Sequence, residues 1–266
     1  MPTPAPPWPI DALAAALAAH WPGCAVEVVA EVDSTNSELM RRARAGRAGP
    51  VLLVALEQTA GRGRVGRGWQ SGGAQGGCLT CSLGLPLAPR DWSGLSLAVG
   101  LALAEALHPD IVLKWPNDLW WQGRKLAGVL VETAGPGGLG GGRAAGRYAV
   151  IGFGINLAPL AGAGFATAPA WLQELLPGID APGALLRVAG PLARTLREFE
   201  RAGFAPLAAR FNVRDALAGQ GVRLSDGTQG AALGVGPDGA LRVQTPLGLR
   251  QVTSAEVSAR PWPLPG

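Results

Sequence analysis

The chain has 266 residues, 48% of them hydrophobic, enough to bury the core of one large domain or of a main domain with a small appendage. Lys and Arg number 23 against 19 Asp and Glu, a formal charge of +4 that suits an anionic small ligand and is too weak by itself to indicate DNA binding. No apolar run reaches the roughly 18 residues needed to span a bilayer. The opening "MPTPAPPWPIDALAAALAAHW" lacks the basic start of a signal peptide, and three cysteines do not make a disulfide framework, so a reducing cytoplasm is expected.

The predicted elements begin with a helix over 10–20, followed by an alternating strand, "AVEVVAEV", at 25–32. A second helix starts near Ser34, where Thr35 and Glu38 have the spacing of a capping box and Gly46 serves as a stop. "VLLVALE" (51–57) reads as a buried strand, and another runs from Cys78 to Leu85. Cys78 and Cys81 form a C-x-x-C, but residues three apart on a strand face opposite ways, so they are expected in the core and not on a shared metal. "WSGLSLAVGLALAEALH" predicts a buried helix with Ser93 at its start. The run 111–133 predicts strand, turn at Pro116–Asp118, strand, turn at Gly123 and strand. A glycine-rich insert at 135–146 is expected as a hairpin loop before the strand "YAVIGFGINL". Residues 170–215 read as helical with a break near Gly190–Pro191. From Leu217 short strand-like pieces broken by Asp-Gly and Pro-Leu-Gly turns suggest a small all-β barrel.

Gly61–Gly66 reads "GRGRVG", which satisfies the dinucleotide fingerprint G-x-G-x-x-G. That pattern requires a following helix and an acidic residue about 20 positions on. Here a glycine-rich run follows, and no Asp or Glu occurs between Gly66 and Asp91. The alternative is a loop whose glycines permit close approach while Arg62, Arg64 and Arg67, with Trp69 beside them, offer forked donors to phosphate or carboxylate oxygens. A solvated surface loop is the plain competitor.

Three further stretches carry polar groups. "KWPNDL" (114–119) is either an ordinary turn or a cluster of Lys114, Asn117 and Asp118 suited to phosphate or Mg²⁺. Lys125, in "RKLAGVLVE", is either a snorkelling edge residue or a charge aimed into a pocket. "IGFGIN" leaves room at Gly152 and Gly154 and places Asn156 for a polar contact.

Taken in order, "STN", Q-x-x-G-R-G-R-x-G-R-x-W, "KWPNDL", "KLAGVLVE" and I-G-x-G-I-N resemble the catalytic domain of the biotin protein ligases. The match covers about 33–157, and the tail looks like that family's SH3-like domain. The resemblance implies an α+β fold, a mixed sheet with helices packed on it, divided into a catalytic domain at 1–216 and a small β domain at 217–266. It implies that biotin and ATP form biotinyl-5′-AMP with Mg²⁺, and that biotin then passes to a lysine of a biotin carboxyl carrier protein. By the same resemblance biotin is bound by Ser34, Thr35, Asn36, Gln58, Gly61, Arg62, Gly63, Arg64, Lys125 and Gly128. The adenylate falls to Arg62, Arg64, Trp69, Lys114, Asn117, Gly152 and Asn156. Lys125 and Arg62 are the catalytic residues, Lys125 touching the biotin carboxylate and the reacting phosphate, and Asp118 is a candidate metal ligand.

Bifunctional members carry an N-terminal helix-turn-helix that this sequence has too few leading residues to form, so a monofunctional ligase that binds neither DNA nor membrane is expected. The resemblance leaves a homodimer through the sheet edge open. A lipoate or octanoate transferase shares the fold and a K-x-x-G element but lacks the arginine loop. A DNA-binding biotin sensor without ligase activity is disfavoured by the modest charge and the short leader.

Overall fold

The computed structural model describes residues 7–71, 77–135, 146–159, 169–253 and 259–261. Its main sheet has seven strands: β1 (Ala25–Val32), β2 (Val51–Gln58), β3 (Cys78–Leu87), β4 (Val112–Lys114), β5 (Asp118–Trp121), β6 (Arg124–Ala134) and β7 (Arg147–Asn156). They lie in the order β1-β2-β3-β7-β6-β5-β4. The β1–β2 pair is parallel, joined through helix α2 (Thr35–Arg44), and every other pairing is antiparallel. Helices α1 (Ile10–Ala18), α3 (Leu95–Leu107), α4 (Ala181–Ala202) and α5 (Ala208–Val213) complete this part of the chain.

The two faces of the sheet carry different residues, and this difference makes the site. On β3, Leu79, Cys81, Leu83, Leu85 and Leu87 join α1, α3 and α4 in the large core. The matching residues of β7 are Ala149, Ile151, Phe153 and Ile155. Alternate residues face the other way, since successive strand side chains point to opposite faces. On that face Tyr148 and Val150 form a small second core with Leu39, Met40 and Ala43 of α2. Further along it the sequence turns small and polar: Thr80 and Ser82 on β3, Gly152 and Gly154 on β7, Gly128 on β6. Register places Thr80 beside Gly154, Gly154 beside Gly128, and Gly128 beside Asp118, one row across four strands.

Local chemistry differs from the sequence expectations in three places. Ser34 caps α2, its side chain accepting from the Ser37 N–H. Thr35 and Glu38 do not form the expected box, because Thr35 bonds Gln58 and Glu38 pairs with Arg41 and Arg42. Helix α4 runs unbroken through Pro191, since an apolar stripe including Leu185, Val188, Leu192 and Leu196 is buried along its length. Packing there outweighs the missing N–H, a cost of about 3 kcal/mol in an isolated helix. Helix α3 begins after Gly94 in the left-handed region, without a side-chain cap from Ser93. The turn at Gly123 is as read: Gln122 and Gly123 both have positive φ, as the tight β5–β6 hairpin requires.

The insert 136–145 lies outside the described residues. It joins β6 to β7, which pair antiparallel up to Ala134 and Tyr148. Beyond α5, strands β8 (Gly221–Leu224), β9 (Gln229–Val235), β10 (Leu241–Thr245), β11 (Gly248–Val252) and β12 (Ala259–Pro261) form an antiparallel sheet in the order β11-β10-β9-β8-β12. This is consistent with the small SH3-like unit, although β11 and β12 are not paired with each other among the described residues. Its inner side chains, such as Val222, Ala232 and Val243, belong to the same core as the main sheet, and buried Trp115 donates its Nε1–H to the Gly239 carbonyl.

Asp215 sits at this junction. Its backbone bridges Leu113 on β4, its Oδ1 accepts from the Leu217 N–H, and its Oδ2 is buried without a partner. Burial pushes its carboxyl up to about 6 from 3.8. The folded state therefore holds a proton here that the unfolded state loses, and this group's contribution to stability falls as pH rises from about 4 to 6. Asp215→Asn should raise the melting temperature at pH 8, by up to about 3 kcal/mol of stability. The gain should vanish below about pH 4; melting curves across pH test this.

Candidate active site

Three glycines clear a trough between α2, the β3-β7-β6 floor and the arginine loop. A Cβ on Gly152 would stand 2.1 Å from Asn36 Oδ1, and one on Gly154 would stand 2.2 Å from the Trp69 ring. The resulting cavity, about 730 Å³ with its open mouth, is lined at one end by Ser34, Thr35, Asn36 and Gln58 and at the other by Arg64, Asn117, Asp118 and Lys125.

The first end is a buried polar chain. Thr35 donates its backbone N–H to Gln58 Oε1 at 2.8 Å, which fixes the Gln58 amide. Ser82 Oγ lies 2.6 Å from both Thr35 Oγ1 and Asn36 Oδ1. Asn36 Nδ2 donates to Glu132 Oε2 at 2.9 Å and to the Leu130 carbonyl at 3.2 Å. Ser34, Thr35, Asn36 and Ser82 are all buried, and groups so placed must be hydrogen-bonded or pay a desolvation cost of about 1–3 kcal/mol each.

The second end is charged. Lys125 Nζ lies 2.7 Å from Asp118 Oδ1 and 5.7 Å from the centre of the Trp69 ring. The ion pair is close but poorly angled, so that buried Asp118 oxygen has no true hydrogen bond. Burial lowers the Arg64 guanidinium below its ordinary range while Asp118 opposes the shift. The loop is tied down at its base, where the Trp69 N–H donates to the Gly61 carbonyl and the Gly63 N–H to the Arg67 carbonyl. Arg62 donates to Glu132 Oε1 at 2.7 Å and to Ser37 Oγ at 3.0 Å. At the apex Val65 is exposed with φ 54, a left-handed conformation costly for a β-branched residue. Fixed cations beside a glycine-cleared floor can bind an anion and stabilise charge gathering on phosphoryl oxygens.

Most residues expected from the sequence line this one cavity: Ser34, Thr35, Asn36, Gln58, Arg62, Gly63, Arg64, Trp69, Asn117, Asp118, Lys125, Gly128 and Gly152. Three do not. Gly61 sits where a Cβ would strike the Trp69 carbonyl at 2.3 Å, so it permits the loop closure. Lys114 lies over the Trp120 ring at 5.0 Å. Asn156 braces the backbone, donating to the carbonyls of Lys125 and Ala170. Asn117, though at the rim, clamps the turn to β6 by donating to the Val129 carbonyl at 2.8 Å. Cys78 and Cys81 are buried strand residues, as expected, and burial raises the Cys78 thiol to about 12 and Cys81 well above its usual range. Sequence reasoning missed Ser82, Glu132 and Ser71, the last bonding both backbone groups of Gln58. The signal for Ser82 was available, because it shares the alternating face that holds the glycines.

Known proteins resemble this chain in sequence and in fold. The family model of the biotin/lipoate A/B protein ligases matches residues 29–156. The chain is 32% identical to the bifunctional ligase/repressor BirA of Escherichia coli, over 90% of this chain and 75% of that one. It is 34% identical to the biotin–[acetyl-CoA-carboxylase] ligase of Paracoccus denitrificans, over 86% of this chain and 98% of that one. The Aquifex aeolicus biotin protein ligase, solved with biotin and ATP, superposes with a TM-score of 0.71 at 28% identity, covering 89% of this chain and 99% of that one. The chain therefore belongs to the biotin/lipoate A/B protein ligase family. Within that family it groups with the biotin protein ligases.

Proposed function

We propose that this chain joins biotin to ATP, giving biotinyl-5′-AMP and pyrophosphate, and then transfers biotin to a lysine of the carboxyl carrier of acetyl-CoA carboxylase. A carboxylate oxygen of biotin attacks the α-phosphorus of ATP, and the bond to the bridging oxygen breaks to release pyrophosphate. The carrier's lysine amine then attacks the acyl carbon, loses a proton and displaces AMP. The observation that carries this reading is one cavity with two unlike ends. Neutral donors and acceptors at Thr35, Asn36 and Gln58 suit a ureido ring, while Lys125 and Arg64 suit a carboxylate meeting a phosphate.

In this reading Lys125 holds the carboxylate against the α-phosphate, and the arginine loop covers the mixed anhydride and keeps water from it. Lys125 belongs to the substrate end through its pairing with Asp118, which a substrate carboxylate or phosphate would contest. Among the described residues no three His, Cys, Asp or Glu side chains gather into a metal site, and Asp118 is already engaged. These residues fit a Mg²⁺ that arrives on the ATP phosphates, whose charge it would offset, better than one held by the protein. No described helix is long and apolar enough to cross a membrane. The test is incubation with ATP, a carrier domain and either biotin or lipoate. Mass spectrometry should show one carrier lysine modified with biotin and none with lipoate; the reverse preference would make the chain a lipoate ligase.

A further inference from the structure

Glu132 does not line the cavity, yet it touches both parts of the site. It is half-buried on β6, with Oε2 accepting from Asn36 and Oε1 from Arg62. A carboxylate paired with a guanidinium can only accept, so the Asn36 amide must turn its NH₂ toward it. Asn36 Oδ1 then faces Ser82 Oγ at 2.6 Å and takes that hydroxyl's single proton. Ser82 has none left for Thr35, also 2.6 Å away, so the Thr35 hydroxyl donates to Ser82. Two hydroxyl protons cannot serve three contacts, and the one that goes without is the longest, Thr35 Oγ1 to Gln58 Oε1 at 3.2 Å, against 2.6 Å for the two at Ser82. Hydrogen bonds thus run one way, from Thr35 through Ser82 and Asn36 to Glu132. Thr35 Oγ1 is left with lone pairs and no proton to give.

We propose that Glu132 is a positioning residue: it fixes this direction so that Thr35 presents an acceptor to a ureido N–H of biotin, and it ties the arginine loop to the same relay through Arg62. The proposal rests on the cavity being the biotin site. A glutamine at 132 has one acceptor oxygen, so either Asn36 or Arg62 would face its NH₂, donor against donor.

Biotin-dependent ATP–pyrophosphate exchange should separate positioning from simple stability. Glu132→Gln should raise KM for biotin about 10- to 100-fold, the effect of losing one or two charge-assisted hydrogen bonds. KM for ATP, which Glu132 reaches only through Arg62, should move much less than KM for biotin, and the melting temperature should stay within a few degrees. Ser82→Ala cuts the same relay, so its effect on KM for biotin and that of Glu132→Gln should be far from additive in the double variant. An active wild type with an unmoved KM for biotin in Glu132→Gln would overturn the positioning role alone. So would additive effects, or a KM for ATP and a melting temperature that shift as much. A wild type with no biotin-dependent exchange would contradict the assigned substrate, and the proposal with it.

Discussion

Lys125→Ala should lower biotin-dependent adenylate formation about 100- to 1,000-fold, the range for removing a fixed charge that meets the transition state. Lys125 lines the cavity with its side chain 41% exposed, its Nζ against Asp118 at the end of the glycine row, and its backbone carbonyl is held by Asn156 and by the Ala170 N–H. Its loss removes the cation and also strands the Asp118 carboxylate, only 17% exposed, where the substrate's negative charges must gather. Two anions would then repel where one cation attracted, so binding and turnover should both suffer. Lys125→Arg keeps the charge and should retain more activity than Lys125→Ala. Single-turnover formation of biotinyl-AMP by Lys125→Ala at a near-wild-type rate would remove this residue from the chemistry.

Gly152→Ala should raise KM for biotin by about 10- to 100-fold, with about 1–3 kcal/mol lost in stability through overpacking. The new methyl would fall 2.1 Å from Asn36 Oδ1 and 2.9 Å from its carbon. Asn36 cannot swing aside cheaply, since Glu132, the Leu130 carbonyl and Ser82 hold its amide from three directions. Gly123 is the control, because nothing stands within 4 Å of a Cβ there. Gly123→Ala strains a positive-φ turn, so it should cost stability without moving KM for biotin. Equal KM values in wild type and Gly152→Ala would show that Asn36 is free to move and is no part of recognition.

Much of this was legible in the sequence because it depended on local pattern. The apolar strand-like run from Cys78 to Leu85 and the stretch "YAVIGFGINL" marked β3 and β7, and Gly123 marked the turn between β5 and β6. The arginine loop was separable from a dinucleotide loop because no helix pattern followed its glycines. The misses have a common cause. Lys114 and Asn156 lie near site residues in the chain, yet Lys114 packs on Trp120 and Asn156 turns to backbone carbonyls. Ser82 and Glu132 lie far along the chain from Asn36, and only the sheet's register brings them to it. Pro191 misled because propensity is local, while burial of α4 is not.

ATP–pyrophosphate exchange in the presence of biotin measures the first half-reaction at this cavity, without any carrier protein. Purified protein with ATP, Mg²⁺ and biotin should move label from pyrophosphate into ATP, and omitting biotin or substituting lipoate should stop it. Exchange that proceeds without biotin, or only with lipoate, would contradict the account of the cavity as a biotin-activating site.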